Sequence, residues 1–302
     1  MHARRSHSGL CSLLFAAAVS CTADPATPGF GATPAQDGDW FSLRTEEISV
    51  PAGQERYLCY ATTLSEDEVV DAYRSDAKSF VHHMVFARAL APEPEGVSEC
   101  DTLFRATWDP LYIAGAGDSE LAFPTGAGHS LARGTQLVLQ MHLLNPSNTD
   151  VHAAVAIEMH RSASKQPRPV NTYIFGTTDL HLPPNQPSEA QSACEMTEPV
   201  QLIAGFPHMH QLGRGLRFEV GARSDAMRTV FRREPYDFDN QYIEPLALDL
   251  AAGDLTRVTC AYENTLPTTI GFGESTHDEM CFFIGFALDQ REIKSCATRP
   301  VP

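Results

Sequence analysis

Alternating apolar and polar positions dominate this chain, and they predict strands. Arg44 to Val50, Gln54 to Ala61, Phe80 to Ala87, Thr135 to Leu143 and Ala153 to His160 combine alternation or β-rich runs with Gly, Pro or Asn at their borders. Ser65 to Ala77 departs from the pattern, because Ser65 followed by Glu68 gives a capping signal for a short helix or an irregular connection. Residues 161–172 interrupt the apolar pattern with Ser, Lys, Gln, Pro167 and Pro169, and read as a linker. Strands resume at Tyr173 to Thr177, Gln201 to Pro207, Leu216 to Ala222, Met227 to Arg232, Asp254 to Tyr262 and Cys281 to Leu288. The expectation is an all-β protein of two antiparallel β-sandwich (jelly-roll) domains in tandem, residues 40–160 and 173–302.

The N-terminus changes where such a protein is expected to reside. Arg4 and Arg5 precede a short apolar run from Leu10 to Val19, which reads as an export signal over residues 1–20. Ala18-Val19-Ser20-Cys21 resembles a bacterial lipoprotein cleavage box, with Ala where Leu is usual, and predicts a lipidated Cys21. Cleavage after a small residue without lipid is the alternative. Residues 21–39, rich in Ala, Pro, Thr and Gly, suit a flexible tether. The expected location is the bacterial cell envelope, periplasm or outer surface, with membrane attachment through Cys21.

Cysteine usage agrees with export. Outside the leader stand Cys59, Cys100, Cys194, Cys260, Cys281 and Cys296, an even set suited to disulfides in an oxidising compartment, with the pairing open on spacing alone. A formal charge of −16, from 22 Lys and Arg against 38 Asp and Glu, argues against nucleic-acid binding, which needs clustered cations.

Candidate chemistry lies in His208-Met209-His210 and, far downstream, Asp278-Glu279-Met280-Cys281. In a strand, residues i and i+2 share a face, so His208 and His210 can reach one ion. A thioether from Met280 is a soft ligand that selects copper, and Cu(I) in particular. A bridge from Cys260 to Cys281 would hold the Met280 loop against a strand. The other reading makes Met280 a core gap-filler. Asp278 and Glu279 read as a solvated loop.

In the first half, Val81-His82-His83-Met84 puts two histidines side by side. Neighbouring strand residues face opposite sides, so both can reach one ion only if a twist or bulge intervenes. His142, on an apolar strand, is the third candidate, and three imidazoles would make an all-nitrogen copper site. His129, His152, His160, His181 and His277 lack partners at ligand spacing and read as surface or structural residues.

Together these residues resemble the ascorbate-dependent copper monooxygenases, the family of peptidylglycine α-hydroxylating monooxygenase and dopamine β-monooxygenase. The resemblance runs from Trp40 to Cys296. It rests on Tyr57-Leu58-Cys59, Val81-His82-His83-Met84, Phe123-Pro124 with Gly126 and Gly128, Leu139-Gln140-Met141-His142, His208 to Gly213 and Asp278 to Cys281. It implies two copper ions per chain. His82, His83 and His142 would hold the electron-supplying one, and His208, His210 and Met280 the one at the catalytic position. It also implies pairing of Cys59 with Cys100, Cys194 with Cys296 and Cys260 with Cys281, and hydroxylation of a C–H bond by O2 with ascorbate or another one-electron donor.

The amidating enzyme carries an Arg two residues before its His-x-His pair and a Tyr four after its ligand Met, where this chain has Phe206 and Ile284. Without the guanidinium fork a substrate carboxylate loses its bidentate partner, which points away from peptide amidation and toward an apolar or aromatic small-molecule substrate. Phe206, Phe282, Phe283 and Ile284 carry that hint, and the same four side chains read equally as core. The alternative function is a non-catalytic copper-binding or copper-carrying lipoprotein, and a third is an adhesion module with structural copper.

Overall fold

The computed structural model describes residues 39–75, 80–100, 105, 107–115, 119–273, 275 and 277–297. The expected leader, Cys21 and the tether up to residue 38 lie outside these residues. Among the described residues every regular element is a strand, as the alternation predicts. The first half holds β1 (Trp40–Arg44), β2 (Ile48–Val50), β3 (Glu55–Thr63), β4 (Glu68–Ser75), β5 (Val81–Ala89) and β6 (Gly96–Glu99). It continues with β7 (Trp108–Ala114), β8 (Ser119–Ala122), β9 (Ala127–Leu131), β10 (Gln136–Leu144), β11 (Val151–Ala153) and β12 (Ala156–Arg161). The second half holds β13 (Arg168–Thr177), β14 (His181–Leu182), β15 (Gln186–Glu195), β16 (Val200–His208), β17 (Gly213–Gly221) and β18 (Arg228–Arg233). It ends with β19 (Glu244–Leu250), β20 (Leu255–Asn264), β21 (Ile270–Gly271), β22 (Cys281–Leu288) and β23 (Lys294–Ala297).

Two local expectations are corrected. Residues 68–75 form β4 rather than a helix. Val70, Ala72 and Tyr73 are buried, and Glu68 binds the Arg161 guanidinium through both carboxylate oxygens instead of closing a cap. The segment from Arg44 to Val50 divides into the ends of β1 and β2 at the polar stretch Thr45-Glu46-Glu47, where Thr45 exchanges hydrogen bonds with Val155.

A five-stranded sheet, β6-β3-β10-β5-β7, contributes to one apolar cluster together with β4 and β12 of a ten-stranded sheet ordered β1-β12-β4-β9-β13-β22-β16-β19, with β8 also paired to β4 and β23 to β13. In the second half, β13, β22 and β16 of that long sheet share a second cluster with the four-stranded sheet β15-β20-β17-β18. The long sheet passes between the halves by a short parallel contact of β9 with β13, Arg168 beside Ala127. β13 thus begins inside the stretch read as a linker.

β22 shows why one run of sequence can be apolar throughout. Phe283 and Ala287 point into the second cluster, while Ile284, Phe286 and Leu288 point into the first. Side chains alternate across a sheet, so a strand with a core on each face needs no polar positions. Phe206 on β16 joins the first cluster at 1 % exposure. Phe206, Phe283 and Ile284 are therefore core side chains, and the pocket reading fails for them.

All three disulfides form with the pairing that the resemblance implies: Cys59–Cys100, Cys194–Cys296 and Cys260–Cys281, with Cα–Cα distances of 5.3, 5.8 and 5.8 Å. Cys260 and Cys281 lie 21 residues apart and tie β20 to the start of β22. Loop-closure entropy assigns such a bridge about 3 kcal/mol. The double variant Cys260→Ala/Cys281→Ala should unfold at correspondingly lower urea concentration, and an unchanged midpoint would mean that the bridge does not support the neighbouring Met280 segment.

Candidate metal centre

β5 and β10 pair antiparallel with His142 opposite His83, and the register then jumps so that Leu143 faces Val81. His82 is the extra residue of a bulge, the device needed to turn adjacent histidines toward one point. His82, His83 and His142 are 5 %, 3 % and 0 % exposed, and one nitrogen from each lies within 4.8 Å of the others. The Nδ1 atoms of His82 and His142 stand 3.5 and 3.3 Å from His83 Nδ1. Two nitrogens bound to one ion at about 2.0 Å in tetrahedral geometry stand about 3.3 Å apart, so the three imidazoles fit a copper-sized ion. Burial holds all three below the ordinary histidine range, with His142 at about 4. They are neutral at pH 7, the state in which imidazole donates to a metal.

The outer edge of His142 is fixed as well. Its Nε2 lies 2.7 Å from Glu55 Oε1, and Tyr57 stacks on its ring at 4.4 Å while donating its hydroxyl proton to the same carboxylate. The carboxylate and the stacked phenol hold the outer edge of the ring, so that its Nδ1 faces inward.

The second group is built differently. β16 ends at His208, and His210 sits beyond it at the start of the turn into β17 rather than within one strand as expected. The rings still meet, with centroids 5.2 Å apart. His208 Nδ1 lies 2.9 Å from Gln241 Oε1 and donates to it, and His210 Nδ1 donates to the Asp278 carbonyl at 3.1 Å. Both partners are acceptors, which places the proton on Nδ1 and the lone pair on Nε2 of each ring. His208 Nε2 is buried with no hydrogen-bond partner. Burial pushes His208 to about 3 and His210 to about 4. An unpartnered buried lone pair on a neutral ring suits a metal.

Met280 directly precedes β22, and its surroundings are latched to the histidine turn. Glu279, 0 % exposed, accepts the backbone N–H of His210, Leu212 and Met280 at 2.9, 2.7 and 3.2 Å. Tyr262 donates to the Met280 carbonyl at 2.7 Å, and the Tyr236 hydroxyl both donates to and accepts from the Met209 backbone at 2.8 Å. Burial raises the Glu279 carboxyl to about 7 against the pull of its three N–H donors. This overturns the reading of Glu279 as part of a solvated loop.

The two groups adjoin: the His83 and His208 ring centroids are 5.9 Å apart. The segment Tyr236–Gln241, which sequence reasoning missed, touches both. Phe238 stacks on His82 at 4.1 Å and meets His210 edge-on at 6.2 Å, and Asp239 Oδ1 lies 3.5 Å from His82 Nε2. Its residue types resemble any polar turn, and no spacing rule would have found it. Among the remaining histidines, His129 is buried against the Tyr73 hydroxyl at 2.6 Å and His160 meets Asp71 at 2.7 Å, both structural, while His152, His181 and His277 are exposed.

Residues 170–300 match the family described as copper type II ascorbate-dependent monooxygenase, C-terminal domain. The human protein named "Putative DBH-like monooxygenase protein 2" is 26 % identical over 245 residues, covering 73 % of this chain and 49 % of that protein. The chain therefore spans about half the length of this curated relative. Among solved structures, a fucolectin from striped bass (Morone saxatilis) covers 80 % of this chain and 85 % of its own at 7 % identity and a TM-score of 0.23. Allantoicase covers 76 % and 77 % at 8 % identity and a TM-score of 0.21, and likeness this slight carries no argument. The family match over residues 170–300 and the human relative support the copper type II ascorbate-dependent monooxygenase family as the one this chain resembles.

Proposed function

We propose that this chain is an exported copper-dependent monooxygenase that hydroxylates a C–H bond of an apolar or aromatic substrate, taking electrons from ascorbate or another one-electron donor. The observation that carries the reading is the pair of adjoining histidine groups, one presenting Nδ1 and the other Nε2. His82, His83 and His142 would hold one ion, and His208, His210 and Met280 the other. Copper at these ligands supplies one-electron redox and O2 chemistry, and the thioether favours Cu(I). The chain itself supplies orientation. Gln241 and the Asp278 carbonyl fix the tautomers of His208 and His210, Glu55 flanks the outer edge of His142, and Glu279 keeps the Met280 segment against the His210 turn. Export with a lipidated Cys21, and two jelly-roll units in tandem, complete the proposal.

Phe206 and Ile284 leave no carboxylate anchor, being apolar and buried. An aromatic surface lies close by instead. Phe272, 41 % exposed, bridges to Glu279 and meets Phe282 edge-on at 6.2 Å, and Phe282 stands opposite His208. A copper carrier without turnover is the second reading, favoured by the burial of His208 and His210 at 2 % and 1 %.

Ascorbate-driven O2 uptake by the copper-loaded protein, against phenethylamines, lipids and small peptides, separates the two. Substrate-dependent uptake supports the monooxygenase, and its absence with two coppers bound supports the carrier. Met280→Ile should abolish hydroxylation while leaving about half of the bound copper, because it removes the soft ligand of one site only. Hydroxylation at the parent rate in that variant would show that Met280 is not a ligand of the reacting site.

A further inference from the structure

We propose that the Tyr236–Gln241 segment is a positioning strap and that Phe238, wedged between His82 and His210, sets the placement of the two histidine groups relative to each other; the inference rests on reading those groups as parts of one metal centre. The segment is anchored at several points. Tyr236 grips the Met209 backbone through its hydroxyl and donates its N–H to the Arg214 carbonyl at 2.9 Å. Asn240 N–H closes a turn on the Asp237 carbonyl at 3.2 Å, and Gln241 Nε2 donates to the Phe238 carbonyl at 2.9 Å. That last contact ties the wedge to the residue that orients His208.

The strap also docks on the first half. A Cβ added to Gly115, just beyond β7, would stand 2.1 Å from the Gln241 carbonyl oxygen. Backbone this close tolerates only glycine, so the fit at Gly115 fixes how near the strap comes to β7. From that seat Phe238 covers His82, Asp239 faces His82 Nε2, and Gln241 holds His208. One short segment therefore meets imidazoles of both groups. A phenyl ring suits this position because it is rigid, apolar and flat enough to lie on one imidazole while its edge meets another. The ordering of the groups is thus assigned to packing by that ring as well as to the ligands themselves.

The test uses the full metal-free chain, with histidine carbethoxylation by diethyl pyrocarbonate mapped residue by residue by mass spectrometry. In the parent, His82 and His210 should react far more slowly than the exposed His152 and His181. Phe238→Ala should accelerate His82 and His210 together by about tenfold, the size expected for loss of a local closure, with His129 unchanged as a reporter of an intact core. Phe238→Tyr, which keeps the ring, should restore parent rates. Gly115→Ala, whose added methyl meets the Gln241 backbone, should reproduce the acceleration at His82 by lifting the strap.

Acceleration of His82 alone in Phe238→Ala, or of neither histidine, overturns the proposal. If His129 also accelerates, the variant has lost its core, and Phe238→Leu is judged by the same criteria. With Cu(II) bound, the inter-copper distance distribution from pulsed electron paramagnetic resonance should broaden in Phe238→Ala and not in Phe238→Tyr. Copper that fails to protect His82 and His210 in the parent counts against the metal reading, while the comparison of metal-free variants still decides the strap.

Discussion

Glu279→Ala is expected to lower folding stability by on the order of 3 kcal/mol, because three buried N–H groups lose their acceptor together. Those donors belong to His210, Leu212 and Met280, so the loss falls where the two ligand-bearing segments meet. The cost is moderated by the burial that lifts the carboxyl to about 7, since truncation also relieves a desolvated acid. Glu279→Gln keeps one acceptor oxygen but turns an NH2 toward the remaining donors, and should fall between the parent and the alanine variant. Urea unfolding monitored by tyrosine and tryptophan fluorescence measures the difference. A shift under about 1 kcal/mol, the worth of one ordinary hydrogen bond, would mean that the three N–H groups find other acceptors and that Glu279 is no clamp.

Acid should unfold the metal-free protein as its buried imidazoles take up protons. Burial depresses His129 and His208 to about 3 and His142 and His210 to about 4, whereas the unfolded chain binds protons at about 6.5. Between those limits the unfolded state holds more protons, so stability is present in full above pH 6.5 and is lost as pH falls toward 4. Glu279 acts in the opposite direction. Its folded carboxyl is raised to about 7, so between about 4.5 and 7 the folded state holds the extra proton and acidification stabilises. The depressed imidazoles, His82 and His83 included, outnumber the one raised carboxyl, so the net effect of acidification is loss of stability. Copper should displace the transition to lower pH, because an ion bound to the neutral rings competes with protons. An acid titration followed by circular dichroism, with and without chelator, checks both parts, and flat stability from pH 6.5 to 4.5 without metal would contradict them.

The all-β class was legible because alternation is local, and the need for a bulge at His82-His83 was legible because strand geometry forbids the alternative. The bulge observed at His82 meets that need. Other features depend on tertiary neighbours that no local pattern encodes. Phe206 and Ile284 could line a pocket or a core, and what decides for core is that β22 lies between two apolar clusters. Glu279 follows an acidic residue in a short connection, and such pairs usually face water. Here the turn after His208 folds back and brings its N–H groups to that one carboxylate. Phe238 carries no motif, and its importance comes from two histidines distant in sequence that converge on its ring.

The bulge at His82 also constrains how this segment can change over evolutionary time. Losing one residue between Val81 and Met84 would restore regular pairing with β10 while leaving Val81 opposite Leu143 and Met84 opposite Met141. The flanking core side chains, Met84 and Phe86 among them, would keep their faces, and one imidazole would leave the cluster. A single-codon deletion here would break the metal-facing histidines while sparing the hydrophobic interior. Length variation among descendants of this sequence should therefore collect in the turns, with the spacing from Val81 to Met84 left intact.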